Sequence, residues 1–69
     1  MYCICIKEGD CLRPLMVDGG IIKEAPSDEN ISLFDEAKAK HVVSKFIPQG
    51  QVLQFHDFLS YRDIQADIG

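Results

Sequence analysis

The opening of the chain has no polar face. Met1, Cys3 and Cys5 form one alternating set and Tyr2, Ile4 and Ile6 the other, and both sets are apolar or weakly polar. A strand with one face in water alternates with charge, whereas a strand covered on both faces reads as a continuous apolar run. The first seven residues therefore predict a strand buried on two sides, with the N-terminus inside the fold. Lys7 ends that run, and Glu8-Gly9-Asp10 carries turn chemistry, with Gly9-Asp10 as a two-residue hairpin loop. Cys11 to Val17 is apolar enough to pair with the first strand, but Pro14 has no backbone donor, which puts that position at an edge or a bulge. Asp18-Gly19-Gly20 is the clearest hairpin signal, because both glycines tolerate the positive φ of a tight turn, and Ile21 to Glu24 follows as a short third strand.

Residues 25–30 read as a polar loop, and Ile31 to Phe34 fits either one more short strand or the lead-in to a helix. A helix is predicted from Asp35 to Phe46. Asp35 is a good N-cap, Glu36 suits the positive end of the helix, and Ala39, Val42, Val43 and Phe46 form a helical stripe expected to face the sheet. A start with Ser32 as N-cap lengthens the helix by about a turn and leaves that face unchanged. Pro48-Gln49-Gly50 stops it, Gln51 to His56 resembles a returning strand, and Phe58, Leu59, Tyr61 and Ile64 suit a short amphipathic helix from about Asp57 to Ala66. The predicted fold is α+β: one domain spanning residues 1–69, with a small three- to four-stranded, mainly antiparallel sheet in β-β-β-α-β order, one covering helix and a short C-terminal amphipathic segment.

Size sharpens the question of what covers the first strand. A chain of 69 residues buries only about 60% of its unfolded surface, so its own core is thin. One helix covers one face, and the other needs the C-terminal segment, either within the chain or across a homodimer, the favoured assembly. Phe58, Leu59, Tyr61 and Ile64 are the candidate interface residues. The 46% apolar and 26% charged composition is that of a folding domain. No apolar run approaches the roughly 20 residues of a membrane span, and Met1 to Ile6 lacks the basic leader of a secretory signal, so a soluble cytoplasmic protein without membrane contact is expected. The net charge of −4, from eleven acids against seven bases, disfavours nucleic acid, since the one basic stripe, Lys38, Lys40 and Lys45 with His41, is sparse.

Candidate chemistry is limited. Cys3, Cys5 and Cys11, with His56 or His41 as a fourth ligand, could be written as a zinc site, but Cys3 and Cys5 on a strand lie side by side with no turn to wrap a metal. A two-residue loop, the preferred one, sets Cys11 opposite Glu8, on the face of Ile4 and Ile6 and away from the other two thiols, whereas a three-residue loop sets it opposite Lys7, on their face. The simpler expectation is that the cysteines fill a small core, with no cofactor, and that Cys3 and Cys5 are too far apart at Cβ for a disulfide. His56-Asp57 offers an imidazole next to a carboxylate, yet neighbours on a strand point opposite ways and no nucleophile stands at a fixed spacing, so no catalytic residue is assigned. Gly19-Gly20 lacks the context of a phosphate loop. The expected function is a non-enzymatic protein-interaction or regulatory module that self-associates. The alternatives are a metal- or thiol-dependent module built on Cys3, Cys5 and Cys11 and a small enzyme using His56 and Asp57.

Overall fold

The computed structural model describes the backbone of residues 1–68 and side chains as far as Asp63. The elements are β1 (Tyr2–Glu8), β2 (Cys11–Asp18), β3 (Ile21–Glu24), a 3₁₀ turn (Asp28–Asn30), α1 (Glu36–Phe46), β4 (Gly50–Gln54) and α2 (Phe55–Ile68). The architecture is α+β, with a four-stranded antiparallel sheet in the order β3-β2-β1-β4. The apolar first strand thus lies inside the sheet, as its two-sided pattern requires.

The first hairpin closes with Glu8 opposite Cys11, so Gly9-Asp10 is a two-residue loop. Gly19 and Gly20 in the second turn have φ of 58° and 82°, the left-handed region that a type I′ turn needs at both central positions. Between the two turns β2 changes partners. It pairs with β1 from Cys11 to Pro14 and with β3 from Leu15 to Asp18. Pro14 stands at the handover, its carbonyl accepting from the Ala25 amide at 2.9 Å. A strand residue aims its N–H and C=O to the same side, so the donor that Pro14 lacks would have pointed past the end of β3, and no ladder bond with β1 is lost.

Residues 31–34 fill the gap where β2 leaves β1. Tyr2 and Phe34 exchange both backbone hydrogen bonds at 2.8 Å, and Ser32 bonds to β2 through its amide to the Leu15 carbonyl and its Oγ from the Val17 amide. The segment is a single bridge between strands, neither a full strand nor a helical turn. It delivers the chain to Asp35, whose Oδ1 accepts from the Lys38 amide at 2.7 Å and starts α1.

Two helices cover the sheet, the predicted one and the C-terminal segment, both packing chiefly on β1 and β4. On one face Ile4, Leu15, Ala39 and Ile47 make a buried layer under α1. On the other, Cys3, Cys5 and Ile31 are sealed by Phe58 of α2, with Leu53, Phe55 and Leu59 around them. The C-terminal segment is therefore a 14-residue helix that completes the core within the chain. Two features differ from the sequence pattern. The return strand ends at Gln54, opposite Tyr2, and Phe55 and His56 already belong to α2, with the Phe55 amide bonded to the Met1 carbonyl at 2.9 Å. Phe46 is 60% exposed and Ile47 takes its place in the core, because Phe46 stands beyond the part of the sheet that α1 covers. Among the described residues no helix is long and apolar enough to cross a membrane.

Candidate functional site

Two features of this fold could meet another molecule: the cysteine pair of β1 and the hairpin half of the sheet. Successive odd positions on a strand share a face, and Cys3 and Cys5 accordingly point together toward α2. Their Sγ atoms are 3.9 Å apart and both side chains are wholly buried. The two thiols share a hydrogen bond in which either sulfur can donate; that bond, and then burial, push the Cys5 thiol up, while the same bond brings the Cys3 thiol down. Cys5 therefore stays protonated through the ordinary pH range. Both cysteines are free thiols.

Cys11 does not join them. The register places it opposite Glu8, on the face of Ile4 and Ile6, and it is exposed. His56 and Asp57 sit in the first turn of α2, both exposed, and neighbouring positions of a helix diverge around its axis. Among the described residues no group of three or more His, Cys, Asp and Glu side chains is placed to hold a metal ion. A labelling experiment checks this arrangement of thiols. A disulfide reagent should titrate one thiol per chain in the native protein, Cys11, and three in denaturant; three fast thiols in the native state would mean that α2 does not cover Cys3 and Cys5.

The candidate interface residues have work within the chain. Phe58 is 1% exposed beneath the sheet and Leu59 packs against the same layer. The Tyr61 hydroxyl donates to the Asp10 carbonyl at 2.7 Å, fixing α2 to the first hairpin turn. Arg62 pairs with Asp28 of the 3₁₀ turn and stands 5.9 Å from the centre of the Phe58 ring. The side chain of Ile64 lies outside the described residues. A small hollow of about 110 Å³ between Leu12, Phe58, Tyr61 and Arg62 marks the seam between α2 and β2.

The exposed apolar surface lies elsewhere. Because the helices sit over β1 and β4, the β2–β3 hairpin projects beside them. Between it and α1 runs a groove of about 260 Å³ lined by Val17, Ile22, Phe34, Val42 and Phe46, with Lys38 on its wall. Val17 is 40% exposed, Phe46 60%, and Ile21 at the start of β3 65%. The helical spacing of Phe46 could not reveal this surface, since the same spacing serves a buried stripe; the position of the residue past the covered strands decides it. The other cations of α1 are engaged locally: Lys40 lies 3.7 Å from Glu36 and the Lys45 ammonium 5.5 Å from the Phe46 ring centre. Comparison of the chain with protein-family models, with curated proteins and with solved structures finds no match.

Proposed function

We propose that this protein is a non-enzymatic interaction module that self-associates, and that its contact surface is the β2–β3 hairpin rather than the face of α2. The observation that carries the reading is where apolar surface is left in water. Of the five large hydrophobic side chains that stand most exposed among the described residues, Val17 and Phe46 line the groove on the α1 face and Ile21 stands on the opposite face of the same hairpin. Single exposed hydrophobic residues need no explanation, whereas a gathered apolar patch beside an uncovered strand is the usual mark of a contact surface. A second copy is the simplest occupant, since the same open edge and its flanking apolar side chains then serve both copies.

A stable interface takes about 800 Å² from each partner, a large share of the 4692 Å² that this chain exposes. A dimer made through the hairpin alone is smaller, so association should be concentration-dependent. Sedimentation velocity over a wide concentration range tests it. A mass that rises from the 7.8 kDa of one chain toward twice that value is the expected result; one chain's mass at every concentration overturns self-association. The thiol-dependent reading retains one supporting observation, the 3.9 Å contact of two sulfurs on one strand, soft donors of the kind that select Cu(I) or zinc. It requires those sulfurs to be reachable, and the thiol titration above separates the two readings.

A further inference from the structure

We infer that two copies join edge to edge through β3, antiparallel, with Ile22 on the two-fold axis, so that two four-stranded sheets become one of eight strands. This rests on the self-association proposed above and adds which atoms carry it. β3 is the terminal strand of the sheet, and the hydrogen bonds around it show which of its backbone groups face outward. The Ala25 amide donates to the Pro14 carbonyl. Counting back in twos, Lys23 with Met16 and Ile21 with Asp18 are the pairs whose N–H and C=O groups face one another, and Ile22 and Glu24 turn theirs to the open edge. Two further bonds confirm the phase. Leu15 and Val17, the β2 partners of Glu24 and Ile22, spend their backbone groups on Ser32, on the side away from β3.

A two-fold axis perpendicular to the sheet sets residues of the same face opposite one another, which leaves two centres, Ile22 or Lys23. Centring on Lys23 places two ammonium groups directly opposite, an unfavourable pair, at a residue whose backbone is already committed to β2. Centring on Ile22 pairs each outward Ile22 N–H with the Ile22 carbonyl of the other copy. It also brings the two half-buried Ile22 side chains together on the α1 face. On the opposite face Ile21, 65% exposed, meets the aliphatic stem of the other copy's Lys23. Two charged side chains guard this edge, and both are held within their own chain, the Lys23 ammonium 3.6 Å from Asp18 and the Glu24 carboxylate 2.9 Å from Arg13. β3 contains no proline. The opposite terminal strand, β4, exposes Gln51 and Gln54 where β3 offers isoleucines.

Two variants test the register. In Ile22→Pro the lost N–H is the outward one, so the β2–β3 ladder survives while the central intermolecular bonds do not. In a Cys11→Ser background, Ile21→Cys with Lys23→Cys places each new thiol in a non-hydrogen-bonded pair with its counterpart, at a Cα separation of about 4.5 Å that a disulfide spans. The expected result is a dimeric wild type, a folded monomer for Ile22→Pro by circular dichroism and sedimentation, and a covalent dimer on oxidation of the cysteine variant. A dimer that persists in folded Ile22→Pro, with no cross-link in the cysteine variant, overturns edge pairing and leaves self-association standing. A wild type that stays monomeric at every concentration removes both. Should Ile22→Pro fail to fold, the cross-link alone decides, its absence in a dimeric protein overturning the register.

Discussion

Phe58→Ala is expected to remove about 3–5 kcal/mol of stability and to lower the urea midpoint steeply. Phe58 is 1% exposed and is the largest side chain fully buried in the layer that holds Cys3, Cys5 and Ile31. A domain of 69 residues at about 0.05–0.15 kcal/mol per residue has only about 3–10 kcal/mol in total, so losing this one ring takes a large part of it. The β1–β4 ladder above and the helix backbone below cannot close over the cavity, which puts the cost toward the upper end. Phe46 is the control. Standing 60% in water, Phe46→Ala should change stability by no more than about 0.5 kcal/mol while acting on association. Urea unfolding of the two variants followed by circular dichroism measures both, and equal losses would refute the placing of one ring inside and the other at the surface.

The contrast between these phenylalanines marks what could be read in the sequence and what could not. That β1 needs cover on both faces is written in consecutive apolar residues, and α1 and α2 supply that cover. The side on which Cys11 falls follows from the length of the Gly9-Asp10 loop, because a strand reverses its faces with every residue. Pro14 announces an interruption, and the handover from β1 to β3 is that interruption. These signals are local. The start of α2 is not, since the apolar alternation runs on through Phe55, and the strand stops where the backbone of Met1 offers its last carbonyl. Residues 31–34 likewise have no pattern of their own, and their place is set by Tyr2, Leu15 and Val17, distant in sequence. The amphipathic character of Phe58, Leu59 and Tyr61 is visible, but an apolar face looks the same whether it meets its own sheet or another molecule. With α2 packed on the core, three of the five most exposed large hydrophobic side chains among the described residues lie on the hairpin or in its groove, which is what moves the proposed contact there.

On the other face of β1, Ile4→Ala is expected to cost about 2–5 kcal/mol, comparable to the loss of Phe58. Ile4 is 2% exposed and lies under α1 with Leu15, Ala39 and Ile47. Gly50 on β4, the strand partner of Ile6 and diagonal to Ile4, shows how closely the side chain is held: a Cβ there would stand 3.2 Å from Ile4 Cγ2 and 3.1 Å from the Ile47 carbonyl oxygen. Truncating Ile4 opens space that no neighbour fills, because Gly50 has no side chain to move and the Ile47 carbonyl is fixed by the Gly50 amide at 2.8 Å. At an m-value of about 1 kcal/mol/M, a loss of about 3 kcal/mol lowers the urea midpoint by about 3 M, which is readily measured. Ile6→Ala, nearer the hairpin turn and only half-buried, should cost less. The comparison is informative because the two layers never touch: Ile4 and Phe58 contact opposite sides of a single strand. Similar losses from both mean that neither helix is an appendage and that the chain closes its own core on both faces. An Ile4→Ala variant that unfolds at nearly the wild-type midpoint would instead mean that α1 rests loosely on the sheet, and the groove beside Phe46 would then be one edge of a movable helix rather than a fixed surface.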